Sequence, residues 1–331
     1  MYKKNDYSAY AYVLPAASVL LIFHIFPVIY SFLLSVSQGT LKHPMKTYIG
    51  LANYSTILED VNFWKSMLNT VWFALSSVPV GIIIALAIAL LLNQKIKGLA
   101  IYRTVYYLPV VTSIAAVALV WKWLFDVRFG LFNQILQWAG FQPMGWLQDS
   151  TGVFDFIAMA IGLSIPETYK YFDPGFMREM VYGIMHGPSI ALCSITIMSI
   201  WKGLGYNVVI FLAGLQNIPT HLYEAAEIDG ANAWHKFKNV TWPLLAPTTF
   251  FIFIMSSISS FQVFVQIFMM TPFGGPERST SVAVFYLYEK AFKTFEFGYA
   301  SALAYVVFFV IFIMTLVQRK LGDGQDGHQG V

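Results

Sequence analysis

From Ser66 to Leu92 the chain carries no charged residue. A helix needs about 20 mostly apolar residues to cross a bilayer, and this run supplies them. Five further segments have the same character: Tyr7 to Val36, Thr104 to Trp121, Pro188 to Leu215, Ala246 to Met270 and Gly298 to Val317. The first contains Pro15, His24 and Pro27; the third span ends in the aromatic cluster Trp121, Trp123 and Phe125; the fourth holds one charge, Lys202. In lipid every backbone N–H and C=O needs a partner inside the protein, and the weak alternation of these runs argues against barrel strands. The expected fold is an all-α membrane protein with six transmembrane helices, a single transmembrane domain over residues 1–331.

Composition points the same way. Hydrophobic residues make up 57% of the chain and charged residues 11%, against about 25% charged in a soluble domain. A net charge of +3 is too small to imply nucleic acid, so membrane lipid is the expected surroundings. The single cysteine, Cys193, lies in an apolar run, reads as a small buried hydrophobe and permits no disulfide within the chain. Met1-Tyr2-Lys3-Lys4 precedes a first run too long for a signal h-region and without a small-residue cleavage site, so that run is expected to be a retained span. His24 within it is expected to make a packing or helix contact, and the Trp and Tyr residues at span ends to act as interfacial anchors.

Six crossings put both termini on one side. If the termini are cytoplasmic, nine Lys and Arg lie inside and ten outside, so the raw count does not decide the orientation. The segment Lys122 to Gly187 is then a long external loop. Phe129 to Trp138 reads as a short helix with an apolar face. Phe154 to Ile165, closed by Pro166, is too short to span and reads as interfacial or packed. Tyr169 to Met180 is polar, with Asp173-Pro174-Gly175 as a turn.

Residues 216–245 form a polar island between two apolar runs. Pro219 suits a first helical turn, and the helix is expected to run to Ile228, with Leu222, Ala225 and Ala226 on one face and Glu224 and Glu227 to the side. Asp229-Gly230 ends it, since glycine takes the left-handed conformation. Asn232 can cap a second helix containing Trp234, Lys236, Phe237 and Lys238, which Pro243 is expected to stop near the membrane surface. The plain alternative is an ordinary cytoplasmic helical hairpin.

The run Tyr223-Glu224-Ala225-Ala226-Glu227-Ile228-Asp229-Gly230-Ala231, with Phe237, Pro243 and Pro247 downstream, resembles the EAA loop of permease subunits from binding-protein-dependent ABC importers. Similar features lie at Arg103, Pro109, Gly130, Asn133 and Leu136. Others are Thr271-Pro272-Phe273-Gly274-Gly275-Pro276, one residue longer than the family's T-x-G-G-P, and Tyr288, Ala291, Phe292, Gly298, Ala300 and Ala302. The resemblance covers nearly the whole chain. It is nearest to carbohydrate-type permeases, the first of two unlike permease subunits, as in maltose and glycerol-phosphate importers. The departures are extra residues near Ser150 to His186 and the absence of additional N-terminal spans. The resemblance implies that Glu224, Ala225, Ala226, Asp229, Gly230 and Ala231 couple to a cleft of an ATPase subunit. It implies as partners a second unlike permease, two ATPase subunits and an extracytoplasmic solute-binding protein. It also implies a bacterial or archaeal cytoplasmic (inner) membrane, with both termini cytoplasmic. ATP and Mg would belong to the partner ATPase, with no cofactor bound by this chain.

Candidate substrate-path residues share helix faces, and the resemblance implies that these faces lie where the permeases of maltose importers line a sugar path. Ser199, Lys202, Gly203 and Tyr206 share one face, and Ser256, Ser259, Ser260 and Val263 repeat the spacing in the fifth span. Gln262 and Gln266 form a neighbouring polar stripe. Hydroxyls, amides and an aromatic ring suit a sugar or oligosaccharide. The lysine also suits an anionic solute, such as an acidic oligosaccharide or a glycerol phosphate. A mid-span charge costs about 2.5–3.5 kcal/mol on insertion scales and normally faces a bundle interior. Two other readings stand beside these: the serines can serve close helix packing, and Lys202 can bond a carbonyl near a Gly203/Gly205 kink. There is no G-x-x-x-x-G-K-S/T loop, and His221 and His235 are too far apart for a helical metal pair, so no enzyme chemistry is expected. A self-sufficient channel or secondary carrier would call for intramembrane acidic residues or inverted repeats, and the spans show neither.

Overall fold

The computed structural model describes residues 8–39, 43, 45–94, 98–163 and 175–326. Ile165, Pro166, Tyr169 and the Asp173-Pro174 part of the expected turn lie outside the described residues, as do Lys3, Lys4, Lys95 and Lys97. The chain divides into two compact units, one drawn from Met1–Asp60 and Tyr286–Val310, the other from Val61–Phe285 and Ile311–Val331.

In the first unit, α1 (Ser8–Leu20) passes through a π-helical turn, Leu21–Ile25, into α2 (Phe26–Ser35). This is one membrane-length helix, exposed along almost its whole length. His24 lies in the wide turn and is exposed, so within this unit it is not the packing residue expected. Two-residue strands β1 (Ser37–Gln38) and β2 (Thr47–Tyr48) pair antiparallel, and α3 (Ala52–Glu59) follows. Tyr305 ties the unit together, its hydroxyl donating to Val28 O at 2.6 Å and its ring meeting Phe32 edge-on.

The second unit is built on α4 (Val61–Leu92), α5 (Leu99–Val111) and α6 (Ile114–Leu124). The segment expected as the third span is two helices bent by 99°. Thr112 and Ser113 both adopt extended backbone. The residues at the bend are weak helix formers: Val110, Val111 and Thr112 are β-branched, Ser113 competes with helical hydrogen bonding, and Pro109 has no N–H to give. Thr112 Oγ1 donates to Pro109 O at 2.7 Å, taking up a carbonyl at the helix end.

After α6 the chain turns on Asp126, whose carboxylate accepts the N–H groups of Phe129 and Arg128 at 2.9 Å each. These backbone bonds hold the carboxyl below the usual carboxylate range. A Cβ on Gly130 would lie 2.3 Å from Asp126 O, so this turn needs glycine there. In α7 (Leu131–Trp138) Asn133 is buried and fully used, donating to Val127 O and Met144 O and accepting from Met144 N and Trp146 Nε1.

Helices α8 (Val153–Ala160) and α9 (Phe176–His186) follow, and α9 lies along α4. Next come α10 (Ile190–Gln216), α11 (Thr220–Ile228) and α12 (Ala233–Lys236), then a π-helical turn, Phe237–Thr241, leading into α13 (Trp242–Phe261). Pro243 does not stop the helix begun at Ala233, as the sequence led one to expect. The helix runs on to Phe261. In the π turn Trp242 N–H reaches back to Phe237 O. That wider turn makes room where the proline ring would otherwise meet the preceding carbonyls.

The fifth span breaks at Phe264 (φ −145°, ψ −59°) and resumes as α14 (Val265–Met270). Then come α15 (Ala283–Tyr288) and α16 (Phe297–Asp326). Among the described residues five helices are long and apolar enough to cross a membrane, or six when the bent pair counts as one.

The core of this unit is where α4, α10 and α13 meet. Ala85 and Ala89 pack without exposure beside Val208, Phe211, Leu245 and Ile252. Small residues here bring helix backbones close, which is where van der Waals packing becomes effective in a membrane. A second cluster gathers Phe73, Leu192, Ile195, Ile267, Met270 and Phe285.

Candidate functional site

The serines foreseen on α10 and α13 converge with α4 on a cavity of about 340 Å³. Ser199, Gly203 and Tyr206 come from α10, and Ser256, Ser259 and Ser260 from α13. Sequence reasoning had not singled out Ser77 and Asn207, which also line it. Ser77 follows Ser76 in a long run without charges, where small hydroxyls carry little signal; Asn207 lies one residue beyond the face that was traced. The volume falls at the lower end of small-molecule sites, which run about 300–1,000 Å³.

Hydrogen bonding sets which hydroxyls remain at the surface of the cavity. Ser77 Oγ and Ser260 Oγ lie 3.2 Å apart and tie α4 to α13. Ser199 donates to Ile195 O at 2.9 Å, leaving its lone pairs toward the cavity. Ser257 turns the other way and accepts from Gln318 Nε2 at 3.1 Å. Phe73 and Val263 close one side of the cavity and belong to the apolar cluster around Ile267 and Met270.

Two expected path residues are not among the lining. Lys202 Nζ donates to Val110 O at 3.0 Å, at the end of α5. Gln262 caps α13 and is exposed, whereas Gln266, past the break, does line the cavity. The break at Phe264 rotates the chain, so the stripe drawn through both glutamines on an ideal helix does not survive. Among the described residues the lining carries no Asp, Glu, Lys or Arg.

The polar island folds as a helical hairpin. Pro219 precedes α11, and Asp229 N–H, Gly230 N–H and Ala231 N–H close its end on Ala225, Glu227 and Ala226 carbonyls. Gly230 has φ +77°, the left-handed region where a Cβ is strained. Asn232 Oδ1 accepts His235 N–H at 2.9 Å, capping the second helix as expected. Glu227 and Lys236 form an ion pair across the hairpin, and Tyr223 OH and Thr241 Oγ1 lie 3.0 Å apart at its base. Tyr223 and Phe237 pack on the cluster of Leu215 and Leu245. This anchoring leaves Glu224, Ala225, Asp229 and Gly230 exposed, with Ala226 and Ala231 half-buried. Ile228 beside them is 88% exposed, an apolar side chain held out of the core at the tip.

The loop after α14 shows how the longer glycine turn is accommodated. Thr271 Oγ1 meets Thr280 Oγ1 at 2.8 Å, and Thr280 N–H donates to Gly274 O at 2.9 Å. A Cβ on Gly275 would sit 2.6 Å from Thr280 Oγ1. Phe273 is turned outward at φ +75° and stands three-quarters exposed.

Membrane-length helices, with a polar hairpin anchored between two of them, have the make-up of a multi-spanning membrane protein. The chain matches the family described as "Binding-protein-dependent transport system inner membrane component" over residues 62–324, and it belongs to that family. It is therefore a permease subunit and not itself an enzyme.

It is similar to the "Probable ABC transporter permease protein YesP" of Bacillus subtilis (strain 168), 32% identical over 322 residues, covering 96% of this chain and 91% of that one. It is also similar to the "Trehalose/maltose transport system permease protein MalF" of Thermococcus litoralis. That identity is 31% over 313 residues, covering 95% and 92%. Among solved structures, a bacterial ABC transporter that imports the acidic polysaccharide alginate matches with TM-score 0.72 at 22% identity, covering 97% of this chain and 96% of that chain. That likeness is one of fold.

Proposed function

We propose that this chain is one of two unlike permeases of an ATP-driven importer for a neutral sugar or oligosaccharide, and that it forms half of the translocation path. The observation that carries the reading is the lining of the 340 Å³ cavity: serine hydroxyls, Asn207, Gln266 and the Tyr206 ring, with no carboxylate, lysine or arginine among the described residues. Saccharide hydroxyls both donate and accept, and hydroxyl and amide side chains answer both roles. The trehalose/maltose permease similar to this chain supports the same solute class.

The alternative of an anionic solute drew on Lys202, and Lys202 is engaged with Val110 O outside the lining. The exposed edge Glu224, Ala225, Asp229, Gly230 of the hairpin docks in a cleft of an ATPase subunit. Ala226 and Ala231, half-buried, let that edge approach closely. Two such ATPases, carrying ATP and Mg²⁺, serve the two permeases, and an extracytoplasmic binding protein delivers the solute. With the hairpin cytoplasmic and the bent pair α5–α6 counted as one of six crossings, both termini are cytoplasmic, residues 216–245 form the coupling loop and residues 150–186 lie outside.

Uptake into proteoliposomes holding the complete complex tests the reading, with labelled trehalose, maltose and glycerol 3-phosphate as solutes. ATP-dependent uptake of a saccharide is expected. Uptake of glycerol 3-phosphate alone, or uptake that persists without ATP, overturns it.

A further inference from the structure

The first unit holds a second, larger cavity of about 740 Å³, walled by the turn after α2, by α3 and by the approach to α16. We propose that it is a second saccharide-binding site, separate from the intramembrane cavity and receiving a neutral sugar unit at the outer end of the protein. The proposal rests on the sugar-importer reading above, which also fixes this end as external.

The walls are fixed before any ligand arrives. Asp60 Oδ2 accepts Tyr286 OH at 2.6 Å and Tyr299 OH at 2.5 Å. Lys290 Nζ stands 5.8 and 5.4 Å from the centroids of those two rings and 3.4 Å from Glu296 Oε2. Asn53 Nδ2 donates to Ser35 O at 2.8 Å and to Ser37 O at 3.3 Å, holding α3 against the turn. A Cβ on Gly298 would lie 2.2 Å from Ser37 O, so the start of α16 and the turn touch backbone to backbone. A site held this way loses little freedom on binding.

The lining then selects the ligand. Glu59, Asp60 and Glu296 outnumber Lys290, so an anion is repelled. Among the described residues no group of three metal-ligating side chains is placed to hold a cation. The carboxylates accept, Lys290 donates, and Gln38 does both, which matches a ligand whose hydroxyls do both. Hydroxyl groups bonded to carboxylates make charge-assisted hydrogen bonds, stronger than neutral ones. Phe295 adds an apolar surface for the C–H face of a sugar ring. It borders the cavity 48% exposed and at φ +59°, a left-handed backbone that a phenylalanine adopts only at some cost. Strain of this kind collects at ligand sites.

Saturation-transfer NMR on the intact complex in nanodiscs, without binding protein, tests the proposal with trehalose, maltose and glycerol 3-phosphate as probes. Tyr206→Ala is used to weaken binding in the intramembrane cavity by removing the tyrosine ring from its lining. In that background a saccharide signal is expected to remain, and Phe295→Ala or Gln38→Ala to weaken it about tenfold, as loss of one good contact does. Both side chains lie at the surface, and gel filtration confirms that the variants assemble. A saccharide signal unchanged by Phe295→Ala, Gln38→Ala and Glu296→Gln overturns the second site and leaves the importer reading standing. If neither saccharide binds the wild-type complex while glycerol 3-phosphate does, the importer reading fails and takes the second site with it.

Discussion

Lys202 Nζ lies 3.0 Å from the carbonyl oxygen of Val110. In an unbroken helix that carbonyl would accept the N–H of Ile114, but Ile114 begins α6, bent away by 99°. The lysine supplies the missing donor and places its ammonium at a helix C-terminus, where a cation is favoured. Gly205, three residues on, has no room for a Cβ, which would lie 2.4 Å from Tyr106 O. Thus α10 meets α5 almost backbone to backbone and carries the elbow of the bent pair on one flank. Its Ser199, Gly203 and Tyr206 face the cavity on the other.

Lys202→Met is expected to leave the Val110 carbonyl without that donor, costing about 1–3 kcal/mol. The thermal midpoint of the purified complex falls, while the apparent affinity for solute changes little. Lys202→Arg, which keeps a donor, restores part of the midpoint. A variant with unchanged midpoint and weakened solute affinity would return the lysine to the path.

Gly230→Pro removes the left-handed residue at the hairpin tip, since proline cannot adopt φ +77°. Glu224→Lys reverses an exposed charge beside it. Both are expected to abolish solute-stimulated ATP hydrolysis in a complex that still assembles. The anchors Tyr223, Thr241 and Phe237 are untouched. Normal stimulation in a well-expressed variant would remove this hairpin from coupling.

Cysteine substitution maps the cavity. Positions 199, 206, 256 and 259 are expected to react with a small water-soluble thiol reagent and to be protected by solute. Ser257→Cys, on the face that meets Gln318, is expected to stay unreactive. Positions 199, 206, 256 and 259 as unreactive as 257 would show that these faces are packed and not open.

The helical spans were legible because long uncharged runs admit one structure in lipid. So was most of the hairpin, since Gly230 and Asn232 each suit one backbone role and each takes it, while Pro219, expected in the first turn, stands one residue before α11 with extended backbone. Breaks inside the runs were not legible. Val110-Val111-Thr112-Ser113 and Gln262-Val263-Phe264 are apolar enough to pass for continuous helix. A break shifts every later residue around the axis, which is why Gln266 lines the cavity and Gln262 does not. Pro243 misled in the opposite sense, because a π turn placed before a proline leaves no mark in composition. The cavity of the first unit was invisible for a different reason: Gln38, Glu59 and Phe295 come from segments far apart in sequence, each ordinary by itself.

The segment between Ser150 and His186 is joined to α4 at several points. Trp72 Nε1 donates to Gly183 O at 3.1 Å, Trp72 meets Phe154 edge-on, Trp64 meets Phe176 in the same way, and Lys65 stands 3.9 Å from Glu179. Its two ends are also joined: His186 Nδ1 lies 2.7 Å from the Asp155 carboxylate, and a Cβ on Gly152 would lie 2.1 Å from His186 O. Such anchoring makes α8 and α9 part of the fold. Gly152→Val is therefore expected to force the two ends apart and to cost at least the 1–3 kcal/mol or so of an overpacked site. Replacing Gly152 to Tyr182 with a short Gly-Ser linker strips the cover from both tryptophans and lowers the thermal midpoint further. Measured together, the midpoint and the stimulation of ATP hydrolysis by binding protein separate two roles. A fall in midpoint with stimulation preserved in the surviving complex marks a structural flap, the outcome expected from these contacts. An unchanged midpoint with stimulation lost would make the segment a docking element instead.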